Sequence, residues 1–325
     1  MILVRALAGA FVFAALGALP SPAGAQTWPS RTIMAISPFS AGNAADVVGR
    51  IVLDQMSKQM GQPIIVENRP GGGGLVAFNG VAKATPDGYT TLLGTSSMSS
   101  GAVLHRSLPY DTVADFTAVI PFGIQPSVLV TAPSKGFKTL ADLVAAAKAR
   151  PGVLNFASAG IGAASHIAAE RLRLATGISA QHVPFRGPNE ALTDVLAGRI
   201  DFYFVPLAPA LPLVKSGKLV ALAVSTPQRA PSMPDVPTTA ELGYPAAAYL
   251  FWGGLFVPAK TPDDVVGKLY DEGRKALDLA SVRESLTKLG VAPMQMTQPE
   301  FQKFFANDVA ETVKLAKEAG IQPTD

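Results

Sequence analysis

Two glycine-rich loops, one in each half of the chain, constrain the fold more than any other feature. Residues 38–46 read PFSAGNAAD and residues 158–166 read SAGIGAASH. Each loop follows a short apolar run and precedes a helical pattern, so each is predicted to join a strand to the start of a helix. The first backbone N–H groups of a helix have no partner within the helix and lie at the positive end of its dipole. Two such junctions predict a pair of anion-binding loops that close on a small carboxylate.

The first 25 residues have the pattern of a secretory signal peptide. Arg5 is the only charged residue in this stretch, an apolar run follows it, and residues 23–25 (AGA) form a small-residue cleavage pattern. We expect cleavage after Ala25 and a periplasmic location; the alternative is an uncleaved anchor. The chain contains no Cys, which excludes a lipid anchor on an N-terminal cysteine and a disulfide framework.

Composition and charge exclude several classes of function. The net charge is +3 and the basic residues are scattered, so the chain lacks the footprint of a nucleic-acid-binding protein. The three histidines, His105, His166 and His182, do not share a helix face at a metal-binding spacing. No carboxylate pair suited to glycoside chemistry is evident. We therefore expect no metal, no cofactor and no catalytic residue, and we interpret the chain as a non-enzyme.

Predicted strands and helices alternate along the chain with short connections, which indicates an α/β fold with helices on both faces of parallel sheets. Two apolar segments, residues 116–133 and 252–258, break this alternation and are interpreted as crossings between lobes. The predicted architecture is a two-lobed α/β protein in which each lobe is a mostly parallel sheet flanked by helices, with two hinge crossings. The predicted lobes are residues 26–126 plus 254–325 for the first and residues 127–253 for the second.

The first loop supplies six candidate ligand-binding residues. They are Phe39, Ser40, Ala41, Gly42, Asn43 and Asp46. Gly42 lets the backbone approach a ligand closely. Asn43 can cap the helix, and Asp46 lies three residues later, where a capping-box acid belongs. Because a carboxylate repels an anion, Asp46 is interpreted as a cap; the alternative is a contact with the ammonium group of an amino-acid ligand.

The second loop supplies six more candidates, which offer hydroxyls and accessible backbone. They are Ser158, Gly160, Gly162, Ala163, Ser165 and His166. The loop lacks the third glycine of a dinucleotide fingerprint and the first glycine of a nucleophile elbow. His166 lies in the first helical turn and is interpreted as a structural hydrogen-bonding residue.

Three further candidates lie outside the loops. Thr95 and Ser96 end the third predicted strand of the first lobe, where their hydroxyls can line a cleft. Phe185 is an aromatic residue at the end of a strand in the second lobe, and the alternative for it is a place in the core.

The order of these motifs resembles the substrate-binding proteins of tripartite tricarboxylate transporters, the Bug-type periplasmic receptors. The match covers nearly the whole mature chain. The matching stretches are residues 38–46 with Arg50, 66–74, 86–90, 108–111 with 115–116, 158–162 with Ser165 and His166, 183–187, 234–238 with Ala240, Glu241 and Gly243, and 252–255 with Pro258.

The resemblance implies a Venus flytrap fold and the capture of small carboxylates for a membrane permease. It also implies that the protein works with the membrane subunits of a tripartite transporter. We expect the receptor to be a monomer. Ligands of the family are held through backbone and water contacts from the first loop and the loop at residues 158–166. The chain departs from the usual pattern at Asn43, where the family has Gly, at Ala163, where it often has Ser, and at Phe185 and Arg186, where Tyr and Lys are usual. These departures bear on the identity of the ligand.

Three alternatives remain open on sequence alone. The first is a receptor for a different class of transporter. The second is a sensor subunit that presents its ligand to a membrane signalling partner. The third is a secreted hydrolase that uses Ser158 or Ser165 with His166, although the nucleophile motif is missing. The ligand itself stays open among dicarboxylates, citrate-like acids, aromatic acids, acidic amino acids and nicotinate-like compounds.

Overall fold

A computed structural model describes residues 28–42, 44–185 and 187–323. The predicted signal peptide and its cleavage site at Ala25 lie outside the described residues, as do Asn43 and Arg186. Across the described part of the chain, no helix combines the length and the apolar character that spanning a membrane requires.

Strands and helices follow one another in an α/β order through the described residues. Before the first crossing the chain forms β1 (Ile33–Ser37), α1 (Ala44–Met60), β2 (Ile64–Asn68), α2 (Leu75–Ala82), β3 (Thr90–Thr95), α3 (Ser97–Leu104) and β4 (Phe116–Gln125). It continues through β5 (Ser127–Thr131), α4 (Leu140–Ala149), β6 (Asn155–Ser158), α5 (Ala164–Thr176), β7 (Gln181–Pro184), α6 (Pro188–Leu196), β8 (Phe202–Pro206), α7 (Leu207–Lys215) and β9 (Val220–Val224). It ends with β10 (Phe251–Pro258), α8 (Asp263–Asp278), α9 (Ala280–Lys288) and α10 (Gln298–Ala319).

The strands form two five-stranded sheets, which confirms the predicted two-lobed α/β fold. The strand orders are β2-β1-β3-β10-β4 in the first lobe and β7-β6-β8-β5-β9 in the second. In the first sheet, β1 pairs parallel with β2 and β3, whereas β10 pairs antiparallel with β3 and β4. The second sheet repeats this plan, with β5 as the reversed strand. Each sheet is therefore mixed, with four strands running one way and one running the other, which refines the prediction of mostly parallel sheets.

This topology brings the carboxyl ends of eight strands to the boundary between the lobes. Strand β4 ends at Gln125 and β5 begins at Ser127, so this end of β4 faces the second lobe. Strands β1, β2 and β3 run in the same direction as β4, and their carboxyl ends share that edge. Strands β6 to β9 run opposite to β5, so their carboxyl ends also face the boundary. Loops that follow these strands meet in the crevice where open α/β sheets bind ligands.

Each sheet is covered by helices on both faces. Helices α1, α8 and α9 pack on one face of the first sheet, and α2, α3 and α10 pack on the other. In the second lobe, α4 and α5 contribute to one apolar cluster, and α6 and α7 contribute to the other. The buried apolar side chains of both sheets pack in these four clusters, which is the arrangement that stabilises an α/β fold.

Helix α10 links the two lobes. Phe301 and Phe305 near its start pack in the first lobe, at ring-centroid distances of 5.3 and 5.0 Å from Phe256. Leu315 near its end packs in the core of the second lobe. We retain residues 26–126 plus 254–325 and residues 127–253 as a proposed division into lobes, with the end of α10 as a third link between them.

Adjacent glycines in β10 face opposite sides of the first sheet. A Cβ on Gly254 would lie 2.6 Å from Phe301 Cζ and 2.7 Å from the Ile120 carbonyl oxygen, so α10 packs directly on this backbone. A Cβ on Gly253 would have one neighbour within 4 Å, the Gly94 carbonyl oxygen at 3.8 Å. Because side chains alternate across a strand, Gly253 points away from α10.

The substitution Gly254→Ala should destabilise the protein by about 1–3 kcal/mol, because the added methyl group overpacks the contact with α10. Gly253→Ala is the matched control and should change the free energy of unfolding by less than about 0.5 kcal/mol. Urea denaturation followed by circular dichroism measures both values. Equal stabilities for the two variants would contradict the described packing of α10 on β10.

Candidate functional site

The first loop leaves β1 at the inter-lobe edge and enters α1. Gly42 has a φ of +81°, a left-handed conformation that favours glycine. The Gly42 N–H donates a hydrogen bond to Asp46 Oδ2 at 3.0 Å. Ser40 and Ala41 are exposed, and their N–H groups have no protein acceptor among the described residues. The outer amides of the loop are therefore available to a ligand.

Asp46 lies behind this loop and is only 1% exposed. Its carboxylate accepts hydrogen bonds from Gly42, from Arg50 Nε at 3.0 Å and from Asn68 Nδ2 at 2.8 Å. Burial is the largest single influence on the pKa of Asp46 and raises it. The three donors together outweigh burial and hold the pKa below its usual value. Asn68 Nδ2 also donates to the Phe39 carbonyl oxygen at 2.8 Å. The contacts support the capping interpretation of Asp46, because Asp46 and Asn68 together hold the loop at Phe39 and at Gly42.

The second loop leaves β6 and enters α5 with the same local design. Gly162 has a φ of +70°, and its N–H donates to Nδ1 of His166 at 3.0 Å. Gly42 and Gly162 each donate to the side chain four residues later, and each precedes the first residue of its helix by two positions. The same arrangement therefore shapes both loops, with a charged acceptor in one lobe and an imidazole in the other.

The serines of the second loop hold its backbone. Ser165 Oγ accepts a hydrogen bond from the Ala159 N–H at 3.0 Å. Ser158 Oγ accepts from the Gly160 N–H at 3.2 Å and donates to the Gly160 carbonyl oxygen at 2.9 Å. Ser158 is fully buried and Ser165 is 8% exposed. Both hydroxyls thus face the interior and fix the turn.

The outer amides of the second loop remain available. Within the described chain, the N–H groups of Ile161, Ala164 and Ser165 donate no hydrogen bond to a protein acceptor. Ala164 and Ser165 are the first two residues of α5, where N–H groups lack partners within the helix. The positive end of the helix dipole adds to this donor set, which can bind an anion.

The second loop lies against the first lobe. A Cβ on Gly162 would fall 2.1 Å from Cδ1 of Leu104, the last residue of α3. Gly162 is therefore required both by its positive φ and by this close approach. The contact shows that the second loop and the first lobe share the crevice predicted by the topology.

Two stacked imidazoles support the second loop from inside. His166 and His182 stack at a centroid distance of 3.9 Å and an interplanar angle of 9°, and Phe156 stacks on His182 at 5.0 Å. Burial lowers the pKa of His166 to about 3, with smaller electrostatic contributions from His182, when that ring is protonated, and from Arg173. Burial also lowers the pKa of His182 to about 4. Both rings are therefore neutral near pH 7.

The hydrogen bonds fix the tautomer of His166. Because Nδ1 accepts from Gly162, the proton of the neutral ring is on Nε2. Nε2 lies 3.7 Å from Oε1 of Glu170, whose pKa is raised by burial and whose other oxygen accepts from Arg173 Nε at 2.8 Å. Protonation at Nδ1 would place two donors face to face, so the loop conformation depends on a neutral His166.

Ser158 Oγ lies 2.6 Å from Nε2 of His182, which is the distance between the nucleophile and the base of a hydrolase. Because the Ser158 hydroxyl donates its proton to the Gly160 carbonyl oxygen, it accepts from His182 here, which is the reverse of the direction that a hydrolase requires. This pairing differs from the predicted alternative, which used His166. A catalytic serine must reach its substrate, and Ser158 is fully buried. Among the described residues, no carboxylate orients His182. The contact between Ser158 and His182 therefore stabilises the second loop.

The remaining predicted site residues lie at the same edge. Thr95 and Ser96 are each 1% exposed, and Thr95 Oγ1 lies 2.7 Å from Ser97 Oγ. The Phe185 N–H donates to the Ser158 carbonyl oxygen at 3.0 Å, and the Phe185 side chain packs against the core of the second lobe. Asn43 is outside the described residues.

Sequence reasoning assigned no role to four residues that shape the site. They are Arg50, Asn68, Leu104 and His182. Arg50 and Asn68 lie within the stretches that carry the family resemblance, so the resemblance could have pointed to both residues. Leu104 and His182 reach the loops from other elements, so no local pattern identifies them.

Comparison with known proteins identifies relatives over nearly the full chain. A family model described as "Tripartite tricarboxylate transporter family receptor" matches residues 48–321. Protein BugT of Bordetella pertussis is 33% identical over 322 residues, which cover 98% of this chain and 99% of BugT. These findings confirm the resemblance inferred from the motifs.

Two solved structures of related proteins are complexes with small carboxylates. R. palustris Rpa4515 with adipate is 31% identical, has a TM-score of 0.81, and is matched over 91% of this chain and 99% of its own. MatC (Rpa3494) from Rhodopseudomonas palustris with bound malate is 32% identical, has a TM-score of 0.77, and is matched over 88% of this chain and 99% of its own. Related chains of this fold thus bind dicarboxylates.

Asp46→Ala should lower the free energy of unfolding by about 1–3 kcal/mol, because it leaves the Gly42 N–H and Arg50 without their buried acceptor. Asp54→Ala on the same helix is the matched control, since Asp54 is exposed and its pair with Lys58 is on the surface. The control should cost no more than about 0.5 kcal/mol. Urea denaturation compares the two, and equal losses would contradict the anchoring role of Asp46.

Acid should destabilise the native state through His166. Its pKa is about 3 in the folded protein, against 6.5 for an unperturbed histidine, so between these values the unfolded chain binds the proton and the native chain does not. The contribution is complete above about pH 6.5 and is lost as the pH falls towards 3. For His166 alone the loss between pH 7.5 and pH 5 is about 2 kcal/mol.

His166→Asn tests this linkage, because the Asn amide oxygen can accept from Gly162 but does not titrate. Chemical denaturation at pH 7.5 and 5 should show a smaller loss of stability in this variant than in the unmodified protein, by about 2 kcal/mol. The same loss in both proteins would show that His166 does not take up a proton on unfolding.

Proposed function

The chain belongs to the tripartite tricarboxylate transporter receptor family, and we propose that it captures a small carboxylate between its two lobes. Receptors of this family are solute-binding proteins, and this chain has their two-lobed fold. The observation that carries the proposal is the pair of matching loops at the inter-lobe edge. Each loop has N–H groups that form no hydrogen bond with the described residues, and a glycine N–H that donates to a side chain behind it.

The proposed mechanism is a clamp. The acid docks first on the exposed amides of Ser40 and Ala41, and the second lobe then adds those of Ile161, Ala164 and Ser165. Hydrogen bonds to a charged acceptor contribute about 1.5–3 kcal/mol each, and micromolar affinity requires about 8 kcal/mol. Four or five such bonds therefore suffice after the cost of ordering the complex is subtracted.

The preformed loops favour binding. Asp46 and His166 keep the inner amides occupied, so the ligand orders little backbone when it binds. Asp46 carries a negative charge near the proposed anion, and its ion pair with Arg50 at 3.0 Å offsets the repulsion. The second loop avoids this repulsion because its acceptor is a neutral imidazole.

We further propose that the protein is secreted to the periplasm after cleavage at Ala25, acts as a monomer without catalysis or cofactor, and delivers its ligand to the membrane subunits of a tripartite transporter. The family membership supports transport over the role of a ligand-presenting sensor subunit. The burial of Ser158 speaks against hydrolase chemistry.

Thermal unfolding of the chain from residue 26 tests the proposal with a panel of aliphatic, hydroxylated, amino-substituted and aromatic carboxylates. A bound acid at one hundred times its Kd stabilises the native state by about 2.7 kcal/mol, which raises the Tm by several degrees. The matched controls are the carboxamides of the same acids, which lack the charge and should leave the Tm unchanged. The proposal fails if the whole acid panel leaves the Tm unchanged, or if amides stabilise as well as acids.

A further inference from the structure

A cavity of about 170 Å³ opens in the first lobe, where α8 turns into α9. Helix α8 ends at Asp278 and α9 begins at Ala280, so one residue separates the two helices. The opposite wall is the segment at residues 291–295, which is held to β4 because Ala292 and Ile124 exchange backbone hydrogen bonds of 2.8 and 2.9 Å. No described residue of the two glycine-rich loops lines this cavity, so it is separate from the proposed ligand crevice.

The floor of the cavity is apolar. It is formed by Phe122, Leu286, Val291 and Met294, each of which is no more than 8% exposed. Three of these residues belong to the apolar cluster that packs α8 and α9 on the first sheet, so the floor is the edge of that core. An apolar cavity of about 150 Å³ holds a molecule the size of benzene. The floor therefore has the room and the character to bind an aromatic ring or a branched alkyl group.

Two arginines and one aspartate line the same cavity. Arg283 is well paired, because its Nη2 donates to Oδ1 of Asp278 at 2.8 Å and its Nε donates to the Leu277 carbonyl oxygen at 3.3 Å. Nη2 of Arg274 lies 3.6 Å from Oδ2 of Asp278, which is too long for a hydrogen bond. The guanidinium of Arg274 therefore donates no hydrogen bond to the described residues, although its side chain is only 35% exposed.

The charges at this cavity favour an anion. Two guanidinium groups share the single carboxylate of Asp278, so the lining has an excess of positive charge. A guanidinium presents several N–H donors in a planar fork that matches a carboxylate, and such a charged pair is stronger than a hydrogen bond between neutral groups. Asp278 competes with an incoming anion for these donors. The free donors of Arg274 and the apolar floor together suit a molecule with one carboxylate and one apolar body.

We propose that this cavity is a second anion site, which binds a small aromatic or branched monocarboxylate. The carboxylate pairs with Arg274, and the apolar body rests on Phe122 and Met294. The bound acid contacts both α8 and the segment at residues 291–295, so it stabilises the first lobe. This inference goes beyond the proposed function, because it concerns a site that is separate from the crevice between the lobes.

Arg274→Gln tests the site by removing the guanidinium. Lys275→Gln is the matched control, because it removes the same charge from the next residue of α8, which is paired with Glu272 on the surface and does not line the cavity. Asp278→Asn is the complementary variant, since it removes the competing carboxylate and keeps the shape of the side chain. Circular dichroism and thermal unfolding establish that all three variants fold.

Isothermal titration with benzoate, the neutral benzamide and acetate measures the effect. The unmodified protein should bind benzoate at least about tenfold more tightly than acetate, since a single methylene in an apolar pocket is worth tenfold or more. Arg274→Gln should weaken benzoate about tenfold, because a charge-assisted hydrogen bond is lost. Lys275→Gln should change it less than about twofold, since the charge it removes is exposed and screened. Asp278→Asn should strengthen benzoate about threefold, because a like charge is removed beside the anion.

Benzoate that also binds between the lobes gives a second binding event, which none of the three substitutions should change. A loss confined to Arg274→Gln, with a gain in Asp278→Asn, supports the second site. Equal affinities in Arg274→Gln and Lys275→Gln overturn it, as does benzamide binding as tight as that of benzoate, no gain in Asp278→Asn, or no binding of benzoate at all. These outcomes leave the capture of a carboxylate between the lobes to the wider acid panel, so the two proposals fail separately.

Discussion

Each glycine-rich loop depends on one hydrogen bond, from a glycine N–H to a side chain four residues later in the chain. Gly42 donates to Asp46 in the first lobe, and Gly162 donates to His166 in the second. The bond occupies the glycine amide, whereas the amides of Ser40, Ala41, Ile161 and Ala164 make no hydrogen bond with the described residues. Without an internal acceptor, the same short loops would have to satisfy their backbone with water or with one another. The conformation of each loop is thus a consequence of the side chain that lies behind it.

The path of the chain places these two loops opposite each other. Strand β4 of the first sheet runs up to the first crossing at Pro126, and β5 of the second sheet runs away from it. The directions of these two strands decide which edge of each sheet holds the carboxyl ends of the other strands. The chain enters the second lobe on β5 and returns to the first lobe on β10. Each of these two strands runs antiparallel to its neighbours in the sheet. The two loops share the inter-lobe edge because they follow β1 and β6, whose carboxyl ends lie there.

Much of this arrangement could be predicted from the sequence. The alternation of apolar runs and helical patterns predicts both lobes, and the motif order predicts the family. The direction in which each side chain points was harder to predict, because serine, aspartate and histidine serve equally well as ligand contacts and as loop anchors. Ser158, Ser165, His166 and Asp46 all face inward, and only the packing of the loops decides this. His182 comes from a neighbouring strand, so its place beneath Ser158 follows from sheet pairing and not from local spacing.

Helix α10 starts in one lobe and finishes in the other, and over 22 residues it spans roughly 33 Å. Arg173 of the second lobe donates to the carbonyl oxygen of Ala319 at 3.1 Å, which secures the far end. A wide swing of the lobes about the two strand crossings would have to draw Leu315 out of its apolar surroundings or bend the helix. The helix therefore acts as a tether that limits the amplitude of opening. We therefore expect α10 to narrow the range of hinge angles that the two lobes can reach.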